Sequence, residues 1–334
     1  MSDFEQLVRA SRLYYELGET QNAIATLLGV TRPQVSRLLK RARAEGVVEI
    51  RIIDSTRAES PAADALRRRY GLDAVHLAPT IAGPEDLTRR MVGRLASQVL
   101  RAAVRAGSIV GIADGASVSA TADALGEALG DGQDDRSSLI TATVVPLCGG
   151  YWSTGPEREP YRRVAQAFGA QAHGLMAPGL VDDAATRTAL VAHAGVRSVL
   201  DLWDRLDVAL FGIGGPGWSP TTVGTDVVRE LDASGAVGEV LVAPFDLEGR
   251  FVCPALGDRV IAFEAPKLGG VPVAIGVAAG DSKVRPILGA LRAGVVGTLV
   301  TDVETAEAVV ALDAVTRSPD PQRAAQSARE RSTR

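Results

Sequence analysis

The stretch ETQNAIATLLGVTRPQVSRLLKRARAEGVVEIRI, residues 19–52, sets the architecture of the N-terminal part of this chain. Apolar residues recur at Ile24, Leu27 and Leu28, and again at Val35, Leu38, Leu39 and Ala42, the spacing of helices with one buried face. Gly29 separates the two runs, where a tight reversal uses a positive φ. Thr31 reads as an N-cap, and Pro33 falls in the first turn, where a missing N–H costs nothing. Helices are therefore predicted over 21–28 and about 32–45, with Thr20 capping the first and Gly46 stopping the second. Residues 47–52 alternate like a short strand. Upstream, Leu7, Val8, Leu13, Tyr14 and Leu17 predict a first helix over residues 4–17, ended by Gly18.

The outward face of the 32–45 helix carries Arg32, Gln34, Ser36, Arg37, Lys40, Arg41 and Arg43. The whole chain of 334 residues has a net charge of −4, which taken alone disfavours a nucleic-acid partner. The average hides a division: residues 1–57 sum to +2, and residues 32–51 alone to +4. A concentrated basic element on an acidic protein is the layout of a modular DNA binder. Two short helices around a Gly turn, the second basic and capped, make a helix-turn-helix followed by a wing. Its second helix would lie in the major groove. Arg32, Gln34 and Arg37 can read guanine or adenine through paired hydrogen bonds, while Thr31, Ser36, Lys40 and Arg41 suit phosphates.

Beyond a polar, Pro-containing linker at 54–61, strand and helix signals alternate, the sign of a parallel sheet covered on both faces. Strands are predicted at 74–79, 108–113, 142–147, 172–177, 208–213, 271–278 and 298–302. Intervening helices fall at 62–70, 85–106, 117–129, 161–168, 183–206, 283–293 and 304–315. Residues 240–252 differ, with Leu247-Glu248-Gly249 resembling a hairpin turn. The fold class is thus α/β, with three parts: a winged helix-turn-helix domain at 1–57, a larger doubly wound domain at 58–315, and a basic disordered tail at 316–334.

In doubly wound sheets ligands bind beyond the C-terminal strand ends, near the switch in strand order. Three strand-to-helix loops carry suitable chemistry. Asp114, Gly115 and Ser117 open a helix, where bare N–H groups and hydroxyls suit a phosphate or sugar hydroxyls. Gly212-Ile213-Gly214-Gly215-Pro216-Gly217 is Gly-rich but lacks the dinucleotide fingerprint. At Asp281-Ser282-Lys283, one of only three lysines in the chain stands where a long cation could reach an anionic ligand.

Residues 19–52 resemble the N-terminal domain of SorC-type transcriptional regulators, sugar-responsive proteins on the broad DeoR-like plan; Ala23 replaces a usual acidic residue. GIADGAS (residues 111–117) is similar to the family's first ligand loop, with Asp114 where an aromatic is usual. VGEVLVAPFDLEG (residues 237–249) is similar to its acidic-plus-hairpin segment, which implies Glu239 as an acceptor for ligand hydroxyls. The resemblance of residues 278–306 to its C-terminal signature implies Lys283 as a ligand or phosphate contact, and Asp281 stands where Gly is common. It also implies a large domain resembling sugar-phosphate isomerases that binds a sugar, polyol or sugar phosphate without turning it over.

The expected protein is a DNA-binding transcriptional regulator controlled by such an effector, without cofactor, metal site or catalytic residues. Its partners would be double-stranded operator DNA and copies of itself, as a dimer or tetramer. Neither a membrane-spanning run nor a signal peptide is apparent, so a cytoplasmic location is expected. The competing reading is a sugar-phosphate isomerase-like enzyme with an appended DNA-binding domain. It needs a positioned acid/base pair, and the spacing of Asp182, Asp183, Asp226, Asp246 and Asp281 singles out none.

Overall fold

The computed structural model describes residues 3–48, 60–81, 83–130, 140–150, 159–215, 217–218 and 223–317. The chain divides into two compact units, residues 1–56 with 127–137 and residues 57–126 with 138–334.

The first unit contains α1 (Asp3–Ser11), α2 (Gln21–Leu28) and α3 (Arg32–Ala44). The first helix is shorter than its periodicity suggests, because Arg12–Glu16 widens into a π turn closed by Leu17 N–H on the Arg12 carbonyl (3.1 Å). The wider turn keeps Leu13 against the core and leaves Tyr14, Tyr15 and Leu17 exposed. Thr20 caps α2, its Oγ1 accepting the Ala23 N–H at 3.2 Å. Gly29 takes φ 66°, the left-handed conformation that lets α2 and α3 meet at a sharp angle. Ala10, Ile24, Val35 and Leu39 form a small apolar core. Val47 and Val48 form a bend rather than the start of a strand, and the rest of the expected wing lies outside the described residues.

In the second unit seven strands, all parallel, form one sheet. In chain order they are β1 (Ala74–Ala78), β2 (Ile109–Ile112), β3 (Thr143–Pro146), β4 (Gln171–Ala172), β5 (Val208–Gly212), β8 (Val273–Val277) and β9 (Thr298–Asp302). A separate antiparallel hairpin pairs β6 (Ala236–Val240) with β7 (Ala243–Asp246). Across the sheet the order is β1-β9-β8-β5-β2-β3-β4. The chain leaves β2 toward β3 but leaves β5 toward β8, so the strand order reverses between β2 and β5. Right-handed crossovers then place α6 (Ala116–Gly130) and α7 (Pro160–Phe168) on one face and α12 (Val284–Arg292) on the other. Every residue of β2 and β9 is buried, as two-sided cover requires.

Three expectations need correction. The strand expected over 172–177 contracts to two residues, because β4 is an edge strand held only by β3. The single helix expected over 183–206 is two, α8 (Ala184–Ala192) and α9 (Ala194–Trp203). His193 divides them by accepting the Gly195 N–H on Nδ1 at 3.2 Å, so it serves as an N-cap. The insertion turns twice, at Leu241-Val242 with φ of 50° and 63° between β6 and β7, and again after Asp246 at the expected Leu247-Glu248-Gly249. The remaining helices are α4 (Pro61–Tyr70), α5 (Glu85–Ala103), α10 (Thr225–Ala233), the short α11 (Pro254–Gly257) and α13 (Val303–Arg317). Of the tail expected at 316–334, Thr316 and Arg317 belong to α13, and the rest lies outside the described residues.

Candidate functional site

On α3 the buried residues Val35, Leu39 and Ala42 turn to the core, and Thr31, Arg32, Gln34, Ser36, Arg37, Lys40 and Arg41 are all exposed. At 100° per residue, Arg37 and Lys40 point most directly away from the buried stripe. Arg32 and Lys40 have no ion-pair partner among the described residues. Three of the long side chains already have partners; Arg37 Nε donates to the Pro33 carbonyl at 3.4 Å. Gln34 Oε1 accepts the Thr31 N–H at 2.7 Å and its hydroxyl at 2.9 Å, which closes the start of the helix. The Arg41 guanidinium lies 2.6 Å from both Asp3 and Glu45, tying α1 to α3. Gln34 therefore keeps only its amide N–H groups for a base, and Arg41 must exchange partners to meet a phosphate.

In the second unit the reversal of strand order brings together the loops after β2 and β5. Gly214 exchanges two backbone hydrogen bonds with Glu239 of β6, at 2.9 and 3.1 Å. The approach is so close that a Cβ on Gly214 would stand 2.6 Å from Glu239 Cγ, so any larger residue there would have to displace the Glu239 side chain. Lys283 Nζ lies 3.5 Å from where a Cβ on Gly215 would be. Glu239 and Lys283 thus flank one two-glycine segment from opposite chain directions. Burial pushes the Glu239 carboxyl up to about 7, with the Lys283 charge pulling the other way. Burial also lowers the Lys283 ammonium, against the attraction of Glu239 and Glu85.

Asp114 borders the same region, its carbonyl oxygen 3.9 Å from where a Cβ on Gly212 would lie. Its carboxyl is raised, by burial first and by the Glu159 charge second. The buried Cys148 thiol is pushed up to about 12, by burial first and then by the charges of Asp114 and Glu239. Ser117 is half-buried and Gly115 exposed at the start of α6. Asp281 is exposed, and no described interaction joins it to the Glu239–Lys283 pair. A cavity of about 400 Å³ lies between the ends of β2 and β3 and the start of α7, with Asp114 in its wall; Gly214, Gly215, Glu239 and Lys283 are not among its lining residues. A smaller one, about 280 Å³, lies elsewhere, between α8, α9 and residues 261–264.

Sequence reasoning passed over several contributors. Glu85 and Arg89 on α5 supply charges around Lys283. Asp302 is buried at the end of β9; it accepts the Gly280 N–H at 3.1 Å and the Thr80 hydroxyl at 2.8 Å, fixing the turn that presents Lys283. An acidic residue closing an apolar strand just before a helix was the available signal. Among the described residues no cluster of His, Cys, Asp and Glu could hold a metal ion.

Residues 55–311 match the family described as "putative sugar-binding domain", and residues 5–49 match a homeodomain-like domain. The chain belongs to the SorC-type family of sugar-binding regulators. Similar proteins are the sorbitol operon regulator of Klebsiella pneumoniae, 28% identical over 91% of this chain and 97% of that protein, and the erythritol catabolism regulatory protein EryD of Brucella abortus, 28% identical over 92% and 97%. The crystal structure of full-length SorC from Klebsiella pneumoniae superposes with a TM-score of 0.73, covering 93% of this chain and 99% of that one at 28% identity. A domain of a possible sugar-binding transcriptional regulator from Arthrobacter aurescens reaches 0.65 at 27% identity, covering 76% and 98%. As a SorC-type regulator, the chain is a DNA-binding transcriptional regulator under the control of a sugar-class effector.

Proposed function

We propose that this regulator seats a sugar, polyol or sugar phosphate at the reversal of strand order, with Glu239 accepting ligand hydroxyls and Lys283 donating to ligand oxygens. The Gly214–Gly215 backbone, Asp114 and the Gly115–Ser117 turn complete the seat. The observation that carries this reading is the placement of Glu239 and Lys283, from two distant chain segments, against one Gly-Gly segment at the switch point. Arg32, Arg37 and Lys40 contact operator DNA, with Ser36, Thr31 and the amide of Gln34 in supporting roles. The working species is a homo-oligomer, dimer or tetramer, acting in the cytoplasm as a sensor and not as an enzyme. Among the described residues no helix is long and apolar enough to cross a membrane.

Effector control requires different affinities for the DNA-competent and DNA-incompetent arrangements. Titrating wild-type and Lys283→Ala protein onto DNA selected by the wild type, with and without sorbitol, erythritol and their phosphates, tests the seat. Lys283→Ala is expected to bind DNA normally in the absence of effector and to lose most of the effector-induced change. A full response in that variant removes Lys283 from the site.

Arg37→Ala should weaken binding to selected DNA by about 1–3 kcal/mol if the side chain reads a base. Equal losses on selected and random DNA would reassign it to the backbone.

The raised Glu239 carboxyl adds a pH signature. The native state holds a proton that the unfolded chain has released, so this group makes the fold less stable as pH climbs from 4.5 through about 7. A hydroxyl donating to Glu239 needs the carboxylate, so polyol affinity should rise with pH, by up to about tenfold per unit, and level off above pH 7. Calorimetric titration from pH 5.5 to 8.5 checks this, and Glu239→Gln should be weak and flat across the range. A pH-independent wild type would place the ligand away from this carboxyl.

A further inference from the structure

We propose that the cavity between β2, β3 and α7 selects an unphosphorylated polyol or sugar, with Asp114 as the residue that accepts its hydroxyls and turns phosphates away. The inference rests on the effector seat proposed above and names the ligand class it takes. The cavity, about 400 Å³, is of a size suited to small ligands. Its described walls are apolar at Ile112, Tyr161 and Met176 and acidic at Asp114 and Glu159, and none of the described lining residues is Lys, Arg or His.

Among the described residues two cations act at this cavity. Arg162 pairs with the wall residue Glu159 and lies over the Tyr161 ring at 5.1 Å, and Arg163, whose charge reaches Asp114, pairs with Asp123 and keeps a buried Nε without an acceptor. Two helix starts border the cavity, and helix starts ordinarily favour a ligand anion. Here each already carries a carboxylate of the chain itself: Glu159 is the N-cap residue of α7, and Asp114 immediately precedes the Gly115 turn into α6. Cys148 adds no charge, since its thiol stays protonated at neutral pH.

The Asp114 carboxylate is half-buried, with no hydrogen-bond donor assigned to it among the described residues. Such a group is costly to leave unsatisfied and is well matched to two neighbouring O–H donors of a polyol. A phosphate dianion in the same place meets the Asp114 carboxylate that repels it, and the described cations that act there, Arg162 and Arg163, are already paired with Glu159 and Asp123. The chain thus has the chemistry for hydroxyl recognition in the cavity that Asp114 lines.

Binding of sorbitol, erythritol, sorbitol 6-phosphate and erythritol 4-phosphate to the full chain, by thermal shift and calorimetry, tests the assignment. A neutral polyol should bind wild type at least roughly tenfold more tightly than its phosphate. Asp114→Asn, which preserves shape, should lose roughly tenfold in polyol affinity, the worth of one charge-assisted hydrogen bond, and should narrow the discrimination. Glu159→Gln should narrow it further without the loss in polyol affinity. A phosphate that binds wild type as tightly as its parent polyol, or an Asp114→Asn variant with unchanged discrimination, overturns the inference and leaves sugar sensing intact. Failure of all four compounds to bind wild type would count against the effector seat itself and take this inference with it.

Discussion

Replacing Asp313 with Ala is expected to cost about 3–5 kcal/mol of folding stability, the range for removing one partner of a buried ion pair. Asp313 on α13 is 1% exposed, with Arg292 of α12 at 2.7 Å and Arg69 of α4 at 2.6 Å. Arg292 is itself only 12% exposed. Without Asp313 it keeps the Leu247 carbonyl (3.0 Å) and the Thr316 hydroxyl, neither of which is charged. An uncompensated guanidinium in that position dominates the loss, whereas Arg69, 36% exposed, can turn to water. Urea unfolding of Asp313→Ala against wild type measures the effect, with Arg69→Ala as the milder comparison at about 1 kcal/mol or less. An Asp313→Ala midpoint equal to that of wild type would mean that desolvation already cancels the attraction.

Phe245→Ala should be comparably damaging, about 3–5 kcal/mol, because it empties a fully buried aromatic site. Its effect on function should exceed what the stability loss explains. The Phe245 ring is the wedge between the β6–β7 hairpin and α12: a Cβ on Gly289 would lie 2.7 Å from it, and one on Gly238 3.1 Å. The hairpin carries Glu239 and the start of α12 follows Lys283, so the ring fixes the separation of the two groups on which effector binding depends. Phe245→Ala protein, kept at a temperature where it remains folded, should respond poorly to effector and retain DNA binding. Phe245→Leu should cost less and respond better. Normal effector response in a folded Phe245→Ala protein would show that the hairpin is held in place by other contacts.

Much of the first unit was legible residue by residue. The limits of α2, the cap at Thr20, the reversal at Gly29 and the inward face of α3 are local properties, set within a turn or two of helix. The first helix departed where a π turn took Tyr14 and Tyr15 off the apolar stripe, which spacing alone does not register. Gln34 and Arg41 looked equivalent to their neighbours in the sequence, and their hydrogen bonds to Thr31, Asp3 and Glu45 separate them. In the second unit β9 matched to the residue because Thr298-Leu299-Val300-Thr301 is rich in β-branched residues and is bracketed by Gly297 and the helix that starts at Val303. β4 was overread, since an edge position with one partner cannot be recognised from composition. The His193 Nδ1 that divides the helix expected over 183–206 gives no signal in the spacing of apolar residues.

The sequence by itself determined the two-part plan, the basic face of α3, and three loops whose glycines, carboxylates and single lysine had binding chemistry. Those features are written in short-range patterns of size, charge and capping. Only the tertiary structure decided that the β5 loop, Glu239 and Lys283 converge, and that Asp114 faces a cavity without basic residues among its described walls. Each of these depends on the order of strands in the sheet, and that order is set by the burial of whole faces across more than a hundred residues, not by any neighbour in the chain.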